Sequence, residues 1–331
     1  MLPSLRRIMQ ISPSFLNARF GLAAVSFVCG KQEKGTAMGI KRTLIIAAWM
    51  SLATAGVSSA AETVINGRAL FPEGPVISEG KLLYVEYAGH TVVVWDGKAN
   101  TVLWKQDGCG PSAVVPMGKD FGITCYDSGQ LVTISADGKT LKSYDKDEAG
   151  GKLQGPNDGT PDGHGGAYFT LSGPWEAGPI VGRVVHLTSD GKLTEVANDL
   201  HYANGIAFGK DGRLYVNESE AGRVISFAVA ADGSLSDRRL FVRLYQLGAA
   251  PDVYPDGIKL GPNGNFYIGE YSSGTILEVA ADGTVKNKYT VPSPASPNLA
   301  FSEDGKTMYV TAIDNKNGAP YEGKVYAVPV K

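Results

Sequence analysis

The sequence is short of cysteine, of net charge and of long apolar runs. Each shortage removes a class of protein. Only 3 cysteines occur in 331 residues, with no Cys-x-x-Cys and no Cys/His cluster, so a zinc site of the usual spacing is excluded. The formal net charge is -2 and charged residues make up 19%. Without a basic excess, neither nucleic acid nor an anionic membrane surface is indicated as a partner. No stretch of ten residues after the leader has helical periodicity, which argues against helix-rich folds. What is abundant is glycine: 42 residues, spread along the chain. Spread glycines mark many tight turns between short strands.

The amino terminus stands apart. From Met38 the chain reads MGIKRTLIIAAWMSLATAGVSSAAET. Lys41 and Arg42 precede a mostly apolar stretch from Leu44 to Val57, and Ser58-Ser59-Ala60 supplies small residues for cleavage. This pattern reads as a secretory signal over 38–60, cleaved after Ala60 or Ala61. The apolar run is short against the ~20 residues of a membrane span, so a membrane partner is not expected. The reading places the mature chain in the periplasm or outside the cell. Residues 1–37 carry Arg6, Arg7 and Arg19 and no acid before Glu33. They fit either an upstream mis-start or an organellar presequence. Cys29 lies in that leader. Cys109 and Cys125 remain for the mature chain, as a disulfide in an oxidising compartment or as two buried thiols.

Residues 61–331 contain one pattern six times: a polar residue, an apolar strand, a turn, and a strand rich in Tyr, Phe and Val. The copies open at Glu73, Ser112, Asn157, Asn204, Asp256 and Asn298. They recur at intervals of roughly 40–50 residues, the period of propeller blades. Each is followed by a further strand pair, such as GQLVTISADGK or GRVVHLTSDGK, mostly with an Asp-Gly hairpin signal. Four short strands per copy predict an all-β, six-bladed propeller. TVINGRALF near the start and GKVYAVPV at the end are both strand-like and suit closure of the ring.

Two kinds of turn dipeptide are separable by phase. Asp137-Gly138, Asp190-Gly191, Asp211-Gly212 and their counterparts lie between strands and read as hairpin turns. Glu73, Asn157, Asn204 and Asp256 instead open repeats. In a propeller the first strand of each blade lines the central channel, so the six opening residues form a ring of oxygen donors at its mouth. Glu73 and Asp256 bring two negative charges, which match one divalent ion. Oxygen-only ligation favours Ca²⁺, with Mg²⁺, Mn²⁺ or Zn²⁺ as substitutes. The alternative is a ring that holds water only. Nearby, His201, His164, Tyr254 and Trp175 are candidates for proton transfer or pocket walls. Each also reads as an ordinary loop or packing residue. A hairpin brings Cys109 and Cys125 to one rim, where a bridge would brace the entrance.

EGP at Glu73, PNDG at Asn157, ANGIAF at Asn204 and YPDGIKL at Asp256 together resemble the senescence marker protein / gluconolactonase / luciferin-regenerating-enzyme-like family, over about residues 66–330. The resemblance implies six blades around a metal, commonly calcium. It implies that Glu73, Asn204 and Asp256 are metal ligands and that Asn157 binds metal or substrate. Sugar-lactone members carry an arginine two residues before Asn157; here Gly155 stands there. The expected activity is hydrolysis of a lactone or related ester, a small-molecule substrate, with Asp256 as base or nucleophile and Asn157, His201 and Tyr254 against the substrate. A ligand-binding or scaffold propeller and a strictosidine-synthase-like propeller are the alternatives.

Overall fold

Residues 62–174, 180–250, 252–315 and 317–331 are described in a computed structural model. The leader segments 1–37 and 38–60, with Cys29, lie outside the described residues, as does Trp175.

Among the described residues, alternation of apolar residues and glycine-bearing turns gives twenty-four short strands in six four-stranded antiparallel sheets. Blade 1 is β2 (Pro72–Ser78), β3 (Lys81–Glu86), β4 (Thr91–Trp95) and β5 (Asn100–Lys105). Blade 2 is β6 (Pro111–Met117), β7 (Asp120–Cys125), β8 (Gln130–Ile134) and β9 (Thr140–Tyr144). Blade 3 is β10 (Pro156–Pro161), β11 (Ala167–Leu171), β12 (Gly182–Leu187) and β13 (Leu193–Leu200). Blade 4 is β14 (Ala203–Phe208), β15 (Leu214–Glu218), β16 (Arg223–Val229) and β17 (Leu235–Arg243). Blade 5 is β18 (Pro255–Leu260), β19 (Phe266–Glu270), β20 (Thr275–Val279) and β21 (Val285–Thr290).

Blade 6 is built from both ends of the propeller. β22 (Ala295–Phe301), β23 (Thr307–Ile313) and β24 (Glu322–Pro329) take β1 (Thr63–Leu70) as their outermost strand. Thr63 pairs with Ala327 and Leu70 with Glu322. The expected closure is therefore present. It covers the edge of β24, which would otherwise expose unpaired backbone groups.

The innermost strands β2, β6, β10, β14, β18 and β22 ring the axis, each against both neighbours. The core is not one mass. Six apolar clusters lie one between each pair of adjacent blades. Between blades 1 and 2, for example, Val85 and Val92 meet Ile123 and Val132. Tyr84, Tyr168, Tyr267 and Tyr326 are fully buried packing residues. The hairpin glycines behave as expected: Gly138 and Gly191 take φ of 85° and 86°, where glycine has no steric cost.

Candidate active site at the channel mouth

Each innermost strand loses register at the same level. The shifts fall between Glu73 and Val76, Pro111 and Ala113, Pro156 and Gly159, Ala203 and Ile206, Pro255 and Ile258, and Ala295 and Asn298. A bulge re-aims a side chain that regular pleating would send elsewhere. Glu73, Ser112, Asn157, Asn204 and Asp256 occupy this layer. The glycines after Glu73 and Asn204 serve close approach between blades rather than a hairpin. A Cβ on Gly74 would meet the Ala113 backbone, and one on Gly205 would meet the Asp256 carbonyl.

The register corrects one ring member. Asn298 pairs with Thr311, one level deeper than its supposed equivalents. Position 296 is the bulge-layer residue of blade 6. Asn298 is buried and donates its amide to Asp158 Oδ2 at 3.2 Å.

Glu73, Asn204 and Asp256 are 8%, 6% and 6% exposed. Burial pushes the Asp256 carboxyl up to about 8; a hydrogen bond from Asn204 opposes this and the charge of Asp158 adds to it. Burial, then the charge of Asp256, pushes Glu73 well above the usual carboxylate range. Asp256 thus raises Glu73, and Asp158 raises both, so the buried channel gathers negative charge that favours the protonated forms. Asn157 is half-buried, and its amide donates to Ser172 Oγ at 3.0 Å. His201 lies at a small cavity with Tyr202 and Glu220. Tyr254 is 40% exposed, and its carbonyl accepts the Tyr271 N–H at 3.0 Å. His164 is exposed in the β10–β11 hairpin, whose turn it shares with Asp162.

Three features of the site escaped the sequence. The first is Asp158, 2% exposed, which Lys259 of blade 5 reaches across the channel at 3.2 and 3.4 Å. Lysine on an innermost strand was the available signal, since a charge carried into the channel needs a partner there. The channel thus holds three carboxylates, one with its own ammonium. Among the described residues Glu73 and Asp256 make no salt bridge, and the Lys259 charge is the smallest of the influences on Glu73. The second feature is a set of inter-blade tethers on the backbone of the ring residues. Thr124 Oγ1 donates to the Asn157 carbonyl (2.7 Å), Thr170 Oγ1 to that of Asn204 (2.7 Å) and Asn217 Nδ2 to that of Asp256 (2.6 Å). Each donor sits on the second strand of the preceding blade. The third is a set of tyrosines at the mouth.

Cys109 and Cys125 are joined in a disulfide, with Cα atoms 4.6 Å apart. It ties the entry of β6 to the end of β7, directly before Tyr126.

The sequence family described as "SMP-30/Gluconolactonase/LRE-like region" matches residues 71–314. The chain belongs to that family. Among its relatives, a pentonolactonase of Haloferax volcanii is 29% identical over 58% of this chain and 70% of its own length. Diisopropyl-fluorophosphatase of Loligo vulgaris is 25% identical over 56% of this chain and 62% of its own length. Regucalcin of Xenopus laevis is 25% identical over 81% of this chain and 93% of its own. The propeller also superposes on a gluconolactonase of Xanthomonas campestris, with a TM-score of 0.68 at 22% identity, covering 83% of this chain and 91% of that one.

Among the described residues, no three His, Cys, Asp or Glu side chains are gathered as a metal cluster. The bulge layer offers another donor set: two carboxylates with asparagine amides, all oxygen. That set fits a hard divalent cation.

Proposed function

We propose that this chain is a metal-dependent lactone hydrolase acting at the channel mouth. The observation that carries the proposal is the buried Glu73–Asp256 pair, which has no salt-bridge partner of its own beside an Asp158 that has one. The named lactonases among its relatives support the reaction class. A divalent cation, calcium first, would be held by Glu73, Asn204, Asp256 and Asn157. When bound it would polarise the lactone carbonyl and stabilise the developing oxyanion.

The chain's own residues do the rest. Asp256 takes a proton from the attacking water. Water oxygen bonds to the carbonyl carbon, the ring C–O bond breaks, and the released alkoxide recovers a proton, giving a hydroxy acid. Direct attack by Asp256 on the carbonyl, followed by hydrolysis of the acyl-enzyme, is the other route open to this carboxylate. Hydrolysis in ¹⁸O-water under single-turnover conditions tests the second route: label in Asp256 establishes it, with water attacking the Asp256 carboxyl carbon of the anhydride and an Asp256 oxygen leaving in the hydroxy acid. Asn204 holds Asp256 by its amide, and the Asn217 tether holds its backbone. Because residues 38–60 read as a secretory signal, we place the working enzyme in the periplasm or outside the cell.

The test is acid release from a panel of sugar, aliphatic and aromatic lactones by the purified mature protein, after EDTA and then after added Ca²⁺, Mg²⁺ or Mn²⁺. Activity that EDTA abolishes and one metal restores is expected. A folded protein inactive with every metal overturns the reading in favour of a ligand-binding propeller.

A further inference from the structure

The mouth above the bulge layer is walled by aromatic rings. Tyr321 from the β23–β24 connection packs edge-on to Phe71 at 6.1 Å, Phe71 lies 5.3 Å from Tyr87, and Tyr87 lies 6.4 Å from Tyr126. Tyr126 then meets Tyr202, hydroxyl to hydroxyl, at 3.0 Å. Tyr202 feels the charge of Asp256, and Tyr271 those of Asp256 and Glu73, so the Tyr202 end of the collar lies near the carboxylates.

Backbone strain marks the collar as a built feature. Phe71, Tyr202 and Tyr321 take φ of 53°, 55° and 56°. Bulky side chains in this left-handed region are outliers, held only where the surroundings demand it. Phe71 and Tyr202 each stand two residues before a ring donor, Glu73 and Asn204.

The collar's chemistry is that of ring surface. The Tyr87 hydroxyl donates to Asp127 at 2.5 Å, and that of Tyr126 donates to the Gly173 carbonyl at 3.0 Å. Charged side chains acting on these two phenols are acidic, Asp127 and Glu220. Gly155 stands at the arginine position of sugar-lactone members, also two residues before its ring donor, with φ of 56°. A Cβ there would lie 2.5 Å from the Gly173 oxygen and 2.9 Å from the Tyr126 ring. Tyr126 therefore fills the space through which a cationic side chain would emerge. A polyhydroxylated substrate would find these two phenols already engaged, an anionic one a repulsive charge, and an apolar one the rings.

We infer that the tyrosine collar selects neutral lactones with an apolar or aromatic body over sugar lactones, with Tyr126 as the specificity-determining residue. This rests on the lactonase reading above. The probes are dihydrocoumarin, δ-valerolactone and δ-gluconolactone, compared by kcat/KM on the metal-loaded mature protein. Dihydrocoumarin is expected to exceed δ-gluconolactone by about tenfold or more, the scale on which a pocket discriminates by apolar contact. Tyr126→Ala is expected to lower the ratio of dihydrocoumarin to δ-valerolactone by about tenfold, while Tyr126→Phe, which keeps the ring, preserves that ratio. Melting curves of both variants establish that they are folded. Faster turnover of δ-gluconolactone, or a ratio that Tyr126→Ala leaves unmoved in a folded protein, overturns the inference and leaves the lactonase reading standing. No turnover of any lactone by folded wild-type protein overturns both.

Discussion

Lysine on an innermost strand must find an anion, and Lys259 reaches Asp158 from two blades away. Asp158 is nearly sealed, with 3% of its side chain exposed, against 21% for Lys259. Removing one partner of such a pair strands the other charge, which typically costs about 3 kcal/mol or more. Lys259→Met should therefore destabilise the protein by about that amount in urea unfolding, and adding Asp158→Asn should recover much of it. A second residue-scale expectation concerns pH. In the metal-free protein Asp256 holds its proton up to about 8, against an ordinary 3.8. The folded state then binds more protons than the unfolded chain through that window, so folding stability falls as pH rises through it. Melting temperatures of EDTA-treated protein should decline between about pH 4 and pH 8 and then level. A bound divalent ion displaces the proton, so its affinity should rise over the same window. Asn217 makes a third case. It is fully buried, its amide holds the Asp256 carbonyl, and its own carbonyl oxygen has no partner. Asn217→Val leaves the Asp256 carbonyl without its inter-blade donor and should cost about 1–3 kcal/mol, read in the same unfolding experiment.

At the scale of elements, the disulfide closes the β6–β7 hairpin across a sequence separation of 16. In the chain-entropy account a loop of this length contributes about 3 kcal/mol. Cys109→Ser with Cys125→Ser should lose about that much, checked by unfolding in the oxidised wild type and the double variant. Much at this scale was legible beforehand. Asp-Gly and Asn-Gly punctuation marks the outer hairpins because only a positive φ fits there, and the repeat phase follows from it. Glu73, Asn204 and Asp256 were legible because each opens a repeat and is followed by glycine. The bulge was not legible, since an extra residue in one strand leaves no compositional trace. Its position decides that Asn298 lies one level below the ring and that Asp158, beside Asn157, enters the channel. The tyrosine collar was hidden for a different reason. Its members come from connections far apart in sequence, and tyrosine is also the packing residue between these blades, as Tyr84 and Tyr267 show.

At the scale of the molecule, the ring is held by one shared sheet. Deleting residues 62–70 should leave β24 with a bare edge and blade 6 with three strands. The truncated protein is expected to melt earlier and to form soluble aggregates, seen by calorimetry and size-exclusion chromatography. The same shared sheet sets an order in time. β1 is among the first strands of the propeller to be synthesised, and its partner β24 is the last. At ~5–20 residues per second, the residues between Thr63 and Ala327 take roughly fifteen seconds to a minute to make. Throughout that interval the first strand has no sheet to join, and the axis around which Glu73 and Asp256 meet does not yet exist. The propeller can close only after β24 has been made.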